Sequence, residues 1–203
     1  GPLPTAVPRT TINHGPPSQP WTTSNHGPLP TKDHYHHQPR TTIYNHGCAV
    51  EGFHSYSPHV YDEMLRSGQR LCCLATDDNH NHSPKDSPRF DSFGGFVMIK
   101  APSLTYPAVA EALLNRHFYY SMGPEIKALF LDGNTVTIHT SPVKKIFMNS
   151  GIRMAGSLLA DEGETITSAS FTLSENIGYF RIDCMDGSGR YAGTNAYFMD
   201  ELF

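Results

Sequence analysis

Nine of the chain's 16 prolines fall within residues 1–42, at spacings that interrupt every stretch long enough for a helix or a sheet ladder. Proline lacks the backbone donor that both structures need. The segment is therefore expected to be extended or disordered until something ties it down. It also repeats itself: Gly1-Pro2-Leu3-Pro4-Thr5 returns at 27–31, Pro8-Arg9-Thr10-Thr11-Ile12 at 39–43, and an Asn-His-Gly core stands at 13–15, 25–27 and 45–47. The irregular spacings exclude a solenoid, and duplication of a short stretch accounts for them. Regular structure is thus expected only after residue 42.

There the periodicity changes. Ile43-Tyr44 reads as the end of a short strand. Ser57-Pro58 offers a cap and a first-turn proline for a helix over 58–67, with Val60, Met64 and Leu65 on its apolar face and Gly68 as its stop. Arg70 to Ala75 is a nearly continuous apolar run, as in a strand buried on both faces of a parallel sheet. It delivers Asp77, Asp78, Asn79 and His80 to its carboxyl end, where α/β folds collect ligand-binding groups. A polar loop over 81–92, a strand over 95–100 and a helix from Thr105 or Tyr106 to Asn115 follow. Beyond them, 118–122, 126–131, 135–138, 144–148, 165–173, 179–185 and 196–199 are short β-branched and aromatic runs separated by Asp-Gly and Asp-Glu-Gly turns. That spacing predicts a small antiparallel sandwich or half-sandwich.

Composition limits the function. At 203 residues the chain has room for one domain, or for a small domain and a tail. Of the net charge of −4, residues 1–47 carry +2 and the rest −6, so no nucleic-acid-binding surface is suggested. No apolar run approaches the ~18 residues of a membrane helix, no secretory signal is present, and the expected compartment is the cytoplasm. A chain that begins at Gly1 rather than Met is expected to be processed, excised or incomplete. Cys48, Cys72, Cys73 and Cys184 show no zinc spacing and are read as reduced thiols. The Asp-Glu pairs at 62–63, 161–162 and 200–201 are read as solvated faces. No nucleophile elbow, phosphate-binding loop or dinucleotide fingerprint occurs.

The sharpest chemical feature is Asp78 and His80, one residue apart at a predicted strand end. A hard carboxylate oxygen beside an imidazole nitrogen suits Mn, Zn or Fe; a plain strand-terminal turn is the alternative. Upstream, His14, His26, His34, His36, His37 and His46 form a second supply of imidazoles.

Three consecutive blocks carry a resemblance: Ile43-Tyr44-Asn45-His46-Gly47-Cys48-Ala49-Val50-Glu51, Val60-Tyr61-Asp62-Glu63-Met64-Leu65-Arg66-Ser67-Gly68, and Leu74-Ala75-Thr76-Asp77-Asp78-Asn79-His80-Asn81. They resemble the last third of the PHP family, named for polymerase and histidinol phosphatase. Phe93 to Ala101, Phe118 to Glu125 and Tyr197 to Leu202 are similar to the β-rich extension of its bacterial members. The resemblance implies an α/β fold: a partial distorted (β/α) barrel over 43–117 and a β-sandwich-like extension over 118–203, behind the repetitive tail of 1–42. It also implies divalent metals, a phosphorylated small-molecule substrate, and metal-dependent hydrolysis of a phosphate ester. By the same resemblance Asp78 and His80 match the family's Asp-x-His ligands, and His14 its Asn-His strand end. No predicted strand ahead of residue 43 carries the family's opening His-x-His motif. The implied site is therefore one that this chain supplies only in part. The alternative is a non-catalytic fragment that retains the β-rich part as a binding or structural module.

Overall fold

The computed structural model describes residues 40–152 and 156–202. Chain order runs β1 (Arg40–Asn45), α1 (His46–Glu51), α2 (Pro58–Arg66), β2 (Cys72–Thr76), β3 (Phe96–Ile99), α3 (Tyr106–Leu114), β4 (Phe118–Ser121), β5 (Ile126–Asp132), β6 (Thr135–Val143), β7 (Lys145–Ser150), β8 (Ser157–Leu159), β9 (Ile166–Thr172), β10 (Tyr179–Met185), β11 (Tyr191–Thr194), β12 (Tyr197–Phe198) and α4 (Met199–Leu202). The tail expected over 1–42 lies outside the described residues, except that 40–42 open β1.

The strands do not build a partial (β/α) barrel. Among the described residues β1 and β2 form the one parallel pair, with Arg40 opposite Cys72 and Asn45 opposite Thr76. Among the described residues the fold is predominantly antiparallel sheet, with no barrel closure. Both edges of the parallel pair are taken by other groups. On the β1 side, Asn45 donates its N–H to Ser55 O at 2.9 Å and Ser57 donates to Ile43 O at 3.0 Å. On the β2 side, the Cys73 N–H is taken by the Asn195 side-chain oxygen at 2.9 Å. The next strand, β3, pairs antiparallel with β4 rather than parallel with β2. The edge groups taken by these three bonds cannot pair with a further strand.

β3, β4, β11, β10, β7 and β8 lie in that order in one sheet, with β12 pairing β10, and β5, β6 and β9 form a second antiparallel sheet. Leu129, Val136, Ile138 and Phe171 from the smaller sheet share a core with Ile146, Phe180, Ile182 and Cys184 from the larger one. The alternation of buried and exposed positions along β5 and β7 is the period of two expected of strands with one face in a core. A second core joins Ile43, Tyr61, Leu65, Cys73 and Ala75 to Tyr120, Tyr179 and Phe198, so the parallel pair and α2 pack directly on the large sheet.

That second core contains charge. Arg181 on β10 is 1% exposed, and its Nε and Nη2 donate to the two oxygens of Asp62 on α2, each at 2.7 Å. Its Nη1 donates to Asp183 Oδ2. Asp183 also accepts from the Tyr120 hydroxyl at 2.7 Å and from Asn149 Nδ2 at 2.9 Å, and Tyr179 donates to Asp62 Oδ1 at 3.2 Å. Asp62 is thus buried rather than part of a solvated face. The buried positions of α2 are Tyr61, Asp62 and Leu65, whereas Val60 is exposed. The buried stripe passes through Asp62 because that carboxylate has a guanidinium to meet. Gly193 on β11 is required here, since a Cβ at that position would lie 1.9 Å from Asp183 Oδ1 and 2.6 Å from the Tyr120 ring.

Burial raises the Asp183 carboxyl above its ordinary value, Arg181 opposing the rise. A carboxyl raised in the folded state favours folding most below its unfolded pKa, and that contribution is lost as pH rises through the folded value. Replacing Arg181 by Met removes the cation from between two buried carboxylates. Arg181→Met is expected to cost about 3–5 kcal/mol at neutral pH, with a smaller deficit at acid pH where protonation relieves the repulsion. Urea unfolding at neutral and mildly acid pH measures both, and a neutral-pH loss below about 1 kcal/mol would contradict this account of the cluster.

Candidate functional site at the strand ends

β1 and β2 run parallel, so their carboxyl ends emerge side by side. The β1 end supplies Asn45, His46 and Gly47, and the β2 end supplies Asp77 to His80. Gly47 donates its N–H to Asp77 O at 2.8 Å, and a Cβ on Gly47 would sit 3.1 Å from the carbonyl oxygens of both Asp77 and Asp78. The absence of a side chain at 47 is what lets the two turns touch. Asn45 then serves two partners. Its Oδ1 accepts from Cys48 N at 2.8 Å, capping α1, and its Nδ2 donates to Asp78 Oδ2 at 3.0 Å. Asp78 itself stands at φ 51, a left-handed conformation that Asp tolerates better than most residues.

Neighbouring carboxylates hold backbone. Asp77 accepts three main-chain donors, Phe93 N at 2.5 Å, Gly94 N at 2.9 Å and Gly95 N at 2.8 Å. Asp91 accepts from His80 N at 2.7 Å and from Asn79 Nδ2 at 3.0 Å, and Asn79 also donates to the Ser92 hydroxyl. The His80 N–H holds the Asp91 carboxyl below the ordinary carboxylate value. His46 is packed in from the β1 side, its Nδ1 2.9 Å from the Tyr44 hydroxyl and its ring so close to Gly94 that a Cβ there would lie 2.2 Å away. Burial, and then the charge of Asp77, raise the Tyr44 hydroxyl.

The residues singled out from the sequence separate into two groups. Asp78 and His80 both reach this strand-end mouth and both are exposed, with the His80 and His82 rings 5.5 Å apart. His14 lies outside the described residues, as do His34 and His36, which have His-x-His spacing in the sequence. Among the described residues no three His, Cys, Asp or Glu side chains are grouped so as to hold a metal ion. The donor set described therefore does not by itself fit the resident metal centre that the family resemblance implies. Asn45, Asp77 and Asp91 are the site's positioning residues. Their sequence signals were an Asn-His-Gly core following a short strand, and an Asp-Ser-Phe-Gly-Gly run after a polar loop.

No family model, no curated protein and no solved structure matches the chain. Among the described residues no helix is long and apolar enough to cross a membrane.

Removing the Asp77 carboxylate leaves three adjacent main-chain donors without their acceptor. Asp77→Ala is expected to speed amide exchange at Phe93, Gly94 and Gly95 by at least about tenfold, the equivalent of roughly 1.4 kcal/mol of lost protection. Exchange in β10 should not change. Unchanged rates at 93–95 would mean that the loop is held by other contacts.

Proposed function

We propose that the strand-end mouth is this chain's contribution to a metal-dependent phosphoesterase of the PHP type, acting on a phosphorylated small molecule in the cytoplasm. One observation carries the reading: the Asn45 to Asp78 hydrogen bond of 3.0 Å, which joins the carboxyl ends of two parallel strands and leaves an exposed carboxylate with an exposed imidazole two residues on. Convergence of polar side chains at the carboxyl ends of parallel strands is the arrangement from which α/β enzymes build their sites. In this reading Asp78 and His80 are donors to a divalent ion, and Asn45 fixes the orientation of Asp78. His14, which the resemblance adds to the set, lies outside the described residues.

A second reading, a non-catalytic binding or structural module, draws support from the distribution of the core. The cluster shared by the two antiparallel sheets is the larger of the two, and it excludes the strand-end residues.

Hydrolysis of 4-nitrophenyl phosphate with and without added Mn separates the readings. The phosphoesterase reading expects Mn-dependent turnover that falls at least about 100-fold in the Asp78→Ala/His80→Ala double variant and about tenfold in Asn45→Ala. Absence of turnover at every Mn concentration, or turnover unchanged in the double variant, would leave the module reading.

A further inference from the structure

We propose that residues 9–15 are a second version of β1: they exchange with residues 40–47 for the slot beside β2 and bring His14 in place of His46 to the strand-end mouth. The proposal does not depend on the phosphoesterase reading.

The internal repeat and the strand register carry it together. Pro39-Arg40-Thr41-Thr42-Ile43-Tyr44-Asn45-His46-Gly47 forms β1 and opens α1, and Pro8-Arg9-Thr10-Thr11-Ile12-Asn13-His14-Gly15 is identical but for one missing residue. β1 uses one residue more than β2 over their shared ladder. Arg40, Thr41 and Thr42 face Cys72, Cys73 and Leu74, but Tyr44 rather than Ile43 faces Ala75, and Asn45 faces Thr76. The upstream copy is shorter by that one residue. Laid on β2 it pairs without the irregularity, from Arg9 opposite Cys72 to Asn13 opposite Thr76, and His14 and Gly15 arrive where His46 and Gly47 now stand. The missing residue falls at the ladder's own irregularity, where a shorter strand fits best.

The slot has requirements, and the copy meets them. A Cβ on Gly47 would lie 3.1 Å from the carbonyl oxygens of Asp77 and Asp78, and Gly15 brings no Cβ either. Asn45 bonds Asp78 from the end of the ladder, where Asn13 falls. Tyr44 packs against the core that contains Ala75, Tyr61 and Leu65, and Ile12 is apolar at the same ladder position. The third copy, Trp21-Thr22-Thr23-Ser24-Asn25-His26-Gly27, places Ser24 there and would bring an unpartnered hydroxyl to an apolar site.

Two losses make β1 the favoured occupant. Cys48 donates its N–H to Asn45 Oδ1 at 2.8 Å, whereas the corresponding upstream residue is Pro16, which has no N–H to give. The Tyr44 hydroxyl, 2.9 Å from His46 Nδ1, has no counterpart beside His14. The exchanged state is therefore a minor population in which the imidazole at the mouth is free of the phenol. A tethered strand reaches β2 at high effective concentration, so exchange within one molecule prevails over exchange between two.

Disulfide trapping in the full chain tests this, with a glutathione redox buffer and peptide mass spectrometry to identify the linkages. Cys72 and Cys73 are 1% and 0% exposed, so a thiol from the upstream segment meets them only when β1 has left. Arg9→Cys is expected to bond Cys72 rather than Cys73, and Thr10→Cys to bond Cys73 rather than Cys72, both in monomeric protein. Trp21→Cys is expected to bond neither. The three substitutions lie outside the described residues, and the reduced variants are expected to keep the wild-type melting temperature. In the oxidised Arg9→Cys chain the amides of Asn45 and Cys48, now held by Ser55 O and Asn45 Oδ1, should exchange at least about tenfold faster than in the reduced chain. Exchange at Ile182 should not change. Absence of the 9–72 bond, its formation only between two molecules, or equal trapping of Trp21→Cys overturns the proposal. Unaltered exchange at residues 45 and 48 in the trapped chain does so as well.

Discussion

Arg181 sits where three parts of the chain meet, and three of its donors tie them together. Two of them clamp Asp62 and so fix the rotation of α2. Another meets Asp183, which turns Tyr120 on β4 and Asn149 on β7 toward the same point. Tyr56, beside β1, reaches the cluster through the Tyr120 hydroxyl at 3.0 Å and stacks on Tyr191 with ring centroids 4.8 Å apart. Guanidinium suits this role because it is planar, permanently charged and able to bind one carboxylate through two parallel bonds. An ammonium could satisfy one carboxylate but not hold both in this geometry. Burying such a group is costly unless every partner is present. The cluster therefore specifies one packing of the α/β segment on the sheet.

The strand-end mouth inherits its position from that packing. β2 is held against the large sheet by Asn195, which accepts from Cys73 N and donates to Phe118 O at 2.9 Å, and by the core that Tyr61 and Leu65 bring with α2. At the end of β2, two of three aspartates turn inward to backbone donors. Asp77 gathers the 93–95 segment and Asp91 the 79–80 segment, leaving Asp78 exposed with Asn45 as its side-chain hydrogen-bond partner among the described residues. Carboxylates used in this way act as internal anchors for loops that have few apolar residues of their own. The same device holds Phe93 at φ 65, a left-handed conformation.

Much of the local structure was legible in the sequence. Pro58 and Gly68 bracket α2 as expected, although the Ser57 side chain makes no capping bond, and the run expected over Arg70 to Ala75 overlaps β2, Cys72–Thr76. The runs at 118–122, 126–131 and 179–185 coincide with β4, β5 and β10 to within a residue. Elements whose signal is weak were not found. β8 is three exposed residues, and β11 contains Gly193, which reads as a breaker until Asp183 and Tyr120 are placed against it. The barrel expectation came from the family resemblance, and it fails because the Cys73 N–H of β2 meets an asparagine side chain rather than another parallel strand. Asp62 was misread because a charge on a helix is normally solvated, and its partner lies 119 residues away. Of the site, Asp78 and His80 were visible as a spacing. Asn45, Asp77 and Asp91 stand in recognisable local runs, but their hydrogen-bond partners 11 to 33 residues away are announced by no local pattern.

The central claim is that the parallel pair and the antiparallel sheet are one cooperative unit, joined through Arg181 and Asn195. Native-state amide exchange across a denaturant series tests it most directly, using Cys73 N–H, held by Asn195, and Ile182 N–H, held by the Thr194 hydroxyl at 3.0 Å. The account predicts that both amides exchange through the same global opening, with matching free energies and denaturant dependence. A Cys73 amide that exchanges through a separate, lower-energy opening while Ile182 stays protected would contradict it.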